Sequence, residues 1–415
     1  MPPERAYDDE MKSGKERSMI GALIPIYGVT LIDVLGTMIM VPLLPYLAQR
    51  FGANGLTVGL ILTTSAVASS IAAPFWGSVS DRLGRKRIVL ISQCVSLGGY
   101  IALATASSLS MLFVARAIAG IGGGNLAVTQ SYIADVTDPQ HRDRAYALFG
   151  VLFGVGIVLG PVLGGFLIQY GLGIPFAAAA LIELITIGLT LRFLPETRQK
   201  KGVRKFDLRG ALGTVVRIPT VRKLVIRHFL FIFAVTYFFT IFSLYLSRQL
   251  HVGPHIASWL LACSGAVGGI SLLVIVTPLT RRFGDAFTTQ VGLGLSVLAY
   301  IALAFTPYVW AFGLALAVWA IGASCVEPTL TALISEAAPE DERGVVMGFN
   351  DAANNLALII GPPLGGSAID LNPHLVGLIP ACAVLLAFAL GLDRGKDPAP
   401  KTSLPESVAQ HLSSP

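Results

Sequence analysis

The sequence predicts an all-α integral membrane protein whose twelve transmembrane helices form two pseudo-symmetric six-helix bundles. Three observations lead there. Hydrophobic residues make up 54% of the chain and charged residues only 13%, whereas a soluble domain carries about 25% charge. Lipid must therefore be the solvent for much of the molecule. The chain also holds twelve apolar runs near the roughly 20 residues that a helix needs to cross a bilayer. Finally, the second half repeats the first: Gly160-Pro161-Val162-Leu163-Gly164-Gly165 returns as Gly361-Pro362-Pro363-Leu364-Gly365-Gly366, at an offset of 201.

In chain order, residues 1–19 form a polar tail expected in the cytoplasm. The first apolar run is too long for a signal-peptide core and no cleavage pattern follows it, so a start-transfer helix is expected. The first bundle, 20–194, contains spans near 20–48, 56–79, 88–106, 110–134, 143–170 and 174–194. A basic connection, 195–221, reads as a cytoplasmic linker on the membrane surface. The second bundle, 222–392, contains spans near 222–247, 256–280, 286–306, 309–335, 343–369 and 374–392. Residues 393–415 read as a disordered cytoplasmic tail.

Lysine and arginine set the orientation. With both termini inside, 27 of the 30 basic residues face the cytoplasm; Arg50 and Arg248 fall outside and Arg116 lies within a span. The net charge of +6 thus follows from membrane topology and calls for no nucleic-acid partner. Cys94, Cys263, Cys325 and Cys382 lie in apolar runs without a disulfide or metal spacing, and are expected to be buried and reduced.

Further correspondences support the duplication. Under the same offset Arg142 meets Arg343 and Asp135 meets Glu336, while Arg82-Leu83-Gly84 meets Arg282-Phe283-Gly284 at offset 200. Halves of matching topology are related by an axis along the membrane normal, which leaves a cavity between them at mid-bilayer.

The loop after span 2 reads Gly77-Ser78-Val79-Ser80-Asp81-Arg82-Leu83-Gly84-Arg85-Lys86-Arg87. It resembles the signature of the major facilitator superfamily, and the resemblance implies a gate built on Gly77, Asp81, Arg82, Gly84 and Arg85. Span 4 holds Arg116-Ala117-Ile118-Ala119-Gly120, similar to the family's R-x-x-Q-G motif with Ala119 in place of Gln. Span 5 holds Gly156, Gly160, Pro161, Gly164 and Gly165 in the spacing of the antiporter motif of proton-coupled drug exporters. Small residues there also favour close helix packing by themselves, and the copy in span 11 fits that plainer reading. Span 1, with Leu31-Ile32-Asp33-Val34-Leu35-Gly36-Thr37 and Val41-Pro42-Leu43-Leu44-Pro45, resembles the twelve-helix drug:proton antiporters, including tetracycline exporters, and the vesicular amine transporters. The acids Glu327 and Asp351 are similar to the amine-transporter pattern, but the lysine that those proteins carry in helix 2 is replaced here near Ser65.

An ionisable side chain at bilayer depth costs about 2.5–3.5 kcal/mol on insertion scales and so needs a reason. Asp33 lies about 20 Å along span 1 by helical rise, where Arg116 is a candidate partner. Glu327 and Asp351 stand at similar depth on consecutive helices. If they face each other, one must take a proton or both must share a cation. Asp33, Glu327, Asp351 and Arg116 are therefore the candidates for proton or cation coupling. Glu183 has no partner visible in the sequence, and a structural acid is as reasonable as a functional one. Asn125, Asn354 and Asn355 could line the cavity or bond between helices, and Tyr237 and Trp319 could wall it or pack in a core.

The expected activity is secondary active transport: proton-coupled antiport that exports a lipophilic or cationic small molecule by alternating access. A facilitator or proton symporter for a small metabolite is the alternative. The partners expected are that substrate, protons and the lipid bilayer, acting on a monomer in the inner or plasma membrane. The proton gradient would be the energy source, with no cofactor. No phosphate loop, metal spacing or nucleophile constellation suggests an enzyme.

Overall fold

The computed structural model describes residues 23–123, 126–138, 141–196, 213 and 215–392. The expected tails 1–19 and 393–415, most of the linker 195–221, and Asn125 lie outside the described residues.

Every described element is helical, as a bilayer requires: each backbone N–H and C=O must be satisfied without water. The helices are α1 (Leu23–Arg50), α2 (Gly55–Leu83), α3 (Arg85–Ala104), α4 (Leu109–Val136), α5 (Arg142–Leu167), α6 (Ile174–Phe193), α7 (Pro219–Arg248), α8 (Pro254–Ser271), α9 (Thr277–Phe305), α10 (Val309–Ala337), α11 (Arg343–Leu371) and α12 (Leu375–Leu392). α1 is interrupted by a turn at 41–43, beside Pro42. From Pro254 to Phe305 helix runs through a π-helical turn, Leu272–Val276, for 52 residues, about 78 Å by helical rise. That is far longer than one crossing. Gly284, at φ 82°, breaks it into two spans, because a left-handed backbone ends a helix and glycine adopts it freely.

The molecule is apolar on the outside. Leu181, Leu298, Leu314 and Leu385 are all exposed on helix faces, the pattern of a surface solvated by lipid. Cys94, Cys263 and Cys382 belong to these exposed faces and only Cys325 is buried. The expectation of four buried cysteines is thus corrected: in an all-apolar helix, hydropathy does not separate the lipid face from the core.

The bundles meet along two seams, α2 against α11 and α5 against α8. The first has almost no side chains in it: a Cβ on Gly55 would meet the Gly366 carbonyl, and one on Gly59 would meet Pro362. At the second, Gly165 lies against Ser258 and Gly265 against Val158. The remaining glycines of the α5 motif face α1, with Gly156 on Val34, Gly160 on Met38 and Gly164 on the Ile39 carbonyl; Pro161 is buried. In this structure the motif sets how closely α1 and α8 approach α5.

The second bundle is centred on aromatic side chains. Phe238 stacks or edges against Phe242, Tyr300, Phe312 and Trp319, at centroid distances of 5.6–6.5 Å. Tyr237 is fully buried and donates to the Leu375 carbonyl at 3.0 Å, and Trp319 is 6% exposed. Both pack in the core here, one of the two placements that the sequence left open. α7 is apolar on nearly every side, and its sequence does not say which side faces inward.

Candidate functional site

Two ends of the molecule differ. At one end, helices α1, α2, α7, α8 and α11 hold the halves together. Tyr46 donates to the Val252 carbonyl at 3.0 Å, Ser243 to the Pro42 carbonyl at 2.9 Å and Ser247 to Gln49 at 3.0 Å. Asp370, at the end of α11, accepts from the first two backbone N–H groups of α2, Gly55 at 3.0 Å and Leu56 at 3.1 Å. It also accepts from Arg248 Nη1 at 2.6 Å. A carboxylate on a helix N-terminus satisfies donors that have no partner in the helix and meets the positive end of its dipole. Asn54 caps the same terminus from within, accepting from the Thr57 N–H at 2.8 Å.

At the opposite end the polar contacts stay within one half. Arg85 bonds Asp81 at 2.6 Å and Asp135 at 3.2 Å. Gly84, at φ 103°, leaves room for the Glu196 carboxylate, which accepts from the Lys86 N–H at 3.1 Å on the N-terminus of α3. Lys86 Nζ reaches the Leu191 carbonyl at the end of α6. Arg82 is exposed, and Gly77 has no neighbour within 4 Å of a built Cβ. The gate signature therefore ties α2, α3, α4 and α6 together. The cross-half hydrogen bonds among the described residues lie instead toward the Asp370 end, the deepest being Thr63 to the Ile359 carbonyl at 2.9 Å.

Between the ends, each half holds a charged group. In the second, α10 presents Glu327 to a groove of about 720 Å³ lined also by Gly268, Gly269, Ser324, Thr331 and Met347, and Asp351 is exposed on α11. Behind them lies His228 of α7, 1% exposed, which the sequence reading missed. Its Nδ1 is 3.0 Å from Asn350 Oδ1 and 3.5 Å from Asn354 Nδ2, and its Nε2 is 3.4 Å from Glu327 Oε2. With Nδ1 donating to Asn350, a second proton on Nε2 lets the ring donate to Glu327; with Nδ1 accepting from Asn354, the neutral ring already donates to it. Asp351 is near enough to feel both His228 and Glu327. Asn355 is exposed on α11. The one sequence signal for His228 is a histidine one residue inside the apolar run that follows Arg227.

In the first half Asp33 does not form an ion pair with Arg116 among the described residues. Its carboxyl instead lies beside that of Glu183 on α6, close enough for the two to interact. Gly36 makes this possible by letting α1 settle against Ala179 and Ile182. Thr37 Oγ1 lies 3.0 Å from Tyr100 Oη, which closes the group from α3. Arg116 faces Tyr100 from α4.

A family model described as Major Facilitator Superfamily matches residues 26–239 and again 224–414, nearly the whole chain and each half separately. The chain belongs to the Major Facilitator Superfamily. It is a multi-pass membrane transporter with that fold. Among the relatives of this superfamily member, "Tetracycline resistance protein, class H" of Pasteurella multocida is 29% identical over 83% of this chain and 88% of its own length. "Multidrug resistance protein 2" of Bacillus subtilis is 24% identical over 86% and 90%. The crystal structure of a human organic anion transporter, MFSD10, superposes with TM-score 0.66 at 21% identity, covering 90% of this chain and 99% of that one. That likeness concerns the fold.

Proposed function

We propose that this transporter is a monomeric proton-coupled antiporter of the inner or plasma membrane that exports a lipophilic or cationic small molecule by rocking its two halves. The observation that carries the reading is the contact of His228 with Glu327, an acid–base pair that can share a proton and of which Glu327 lines the groove. A cation arriving in the groove substitutes for that proton beside two carboxylates; leaving, it allows the proton to return. Exchange follows from charge, because the pair is costly to leave doubly ionised in a low-dielectric site. The names of the relatives, for tetracycline and multidrug resistance, support efflux of such compounds. The distribution of lysine and arginine supports a cytoplasmic position for both termini and the Arg85 end, and in that orientation the Asp370 end is the closed, outer one.

In this scheme Asp33, Arg116, Glu327 and Asp351 handle proton and cation. Asp81, Arg82 and Arg85 organise the inner gate, and the α5 glycines position α1. The divisions at 20–194 and 222–392 are the rocking units, joined by 195–221. The decisive experiment is ethidium and tetracycline transport in proteoliposomes with an imposed proton gradient. Transport should follow the gradient and be lost in Glu327→Gln. Transport indifferent to the gradient, or intact in a variant with both Asp33→Asn and Glu327→Gln, overturns the proposal.

A further inference from the structure

We propose that Glu183 and Asp33 form a second proton-binding site, in which one proton is shared between two carboxyls inside the first bundle. The inference deepens the proton-coupled reading and rests on it for its place in the transport cycle, though not for the existence of the shared proton.

Glu183 is fully buried, and neither of its carboxyl oxygens meets an N–H or O–H donor of the protein. Carboxyls are acceptors only when ionised, and the group that Glu183 does contact is the carboxyl of Asp33. Two ionised carboxyls cannot remain at hydrogen-bond distance in a buried site, because neither donates and both repel. One proton resolves both problems: it makes the missing donor and removes one charge. The surrounding helices supply no other source. Facing the pair is Tyr100 from α3, whose hydroxyl is engaged with Thr37, and Arg116 from α4 faces Tyr100 in turn. α5 carries no titratable residue between 147 and 169. Arg116 is cationic, and its Nε is buried without a partner. One proton plus Arg116 leaves the group of three neutral; the doubly ionised state leaves it at −1.

Burial orders the pair. Asp33 is partly exposed, whereas Glu183 is fully buried. A proton leaving Glu183 therefore passes through Asp33, the O–H bond on Glu183 breaking as that on Asp33 forms. Glu183 acts as the retaining member and Asp33 as the port. The first half would thus store a proton out of reach of the substrate, while the His228–Glu327 site of the second half exchanges its proton directly with cargo.

The test is infrared spectroscopy of the intact protein in lipid, following the C=O stretch of a protonated carboxyl in pH-difference spectra. Neither gradient nor substrate is needed, so the result stands apart from the transport assay. The wild-type protein should show such a band at neutral pH, absent from Glu183→Gln. The band should titrate at a different pH in Asp33→Asn, as only coupled carboxyls would. Glu183→Leu, which replaces a buried polar group by an apolar one of similar size, should fold and also lack the band. A wild-type protein without the band, or a band that survives in both Glu183 variants, overturns the proposal. If the band behaves as stated but transport ignores the gradient, the proton-coupled function fails while the shared proton stands.

Discussion

Replacing Asp370 by Asn tests what keeps the two halves together at one end. The carboxylate receives two backbone N–H groups of α2 and the Arg248 guanidinium. Its side chain is 29% exposed and that of Arg248 33%, so the ion pair is counted as a surface pair, about 0.2–1 kcal/mol. A negative charge at a helix N-terminus adds about 0.3–1 kcal/mol. The asparagine keeps the shape and can still accept one N–H bond, so the loss is the charge-dependent part, about 0.5–2 kcal/mol. At about 1.4 kcal/mol per tenfold, the ratio of closed to open at this end should fall roughly 2- to 30-fold. Double electron–electron resonance between spin labels at Ser107 and Asn372, in a background without the native cysteines, reads that ratio as the populations of a short and a long distance. The same shift should appear in the unsubstituted residue as the bathing pH falls and Asp370 takes a proton, and D370N should abolish that pH response. Distance distributions identical in wild type and D370N across pH would refute the latch.

Two further substitutions check the placement of residues in the fold. Trp319→Ala should cost about 3–5 kcal/mol of stability, the range for emptying an aromatic site in a packed core, and lower the melting temperature. Ethidium binding by the protein that remains folded should be unchanged; weaker binding without a lower melting temperature would return Trp319 to the cavity wall. Gly84→Ala should cost about 1–3 kcal/mol, because φ 103° with ψ 148° is a region open essentially to glycine alone. Its Cβ would also displace the Glu196 carboxylate from α3. A G84A protein as heat-stable as wild type, in the same lipid, would contradict this account of the turn.

The fold was legible because its causes are local in sequence. A run of about 20 apolar residues is its own evidence for a crossing, and the Gly-Pro repeat at offset 201 exposes the duplication without any contact being known. Charges in apolar runs were legible for the same reason, so Asp33, Glu327 and Asp351 stood out. Their partners did not. Glu183 lies 150 positions from Asp33 (33 to 183) on a helix that meets α1 only through packing at Gly36. Asp33 was therefore matched with Arg116, the obvious opposite charge. His228 adjoins Arg227 at the end of a span and resembles the rest of a basic border. Asp370 falls just past an apolar run and looks like any loop acid until the N-terminus of α2 is placed beneath it. Tyr237 and Trp319 could not be assigned between cavity wall and core because membrane helices lack the polar face that tells inside from outside in a soluble bundle.

The bare seam of α2 on α11 bears on how fast the transporter can turn over. Where Gly55 and Gly59 lie on Gly366 and Pro362, backbone rests on backbone, and few side chains, Thr63 and Ile369 among them, reach across the boundary. Parting such surfaces frees few rotamers and needs none to be unthreaded, so neither separation nor return waits on side-chain rearrangement. Dispersion between them falls away within about an ångström of opening, which makes the seam adhesive in contact and nearly frictionless once parted. The dwell time in the closed state is thereby delegated to the few polar contacts at the rim, Asp370 foremost, where a change in charge can set it.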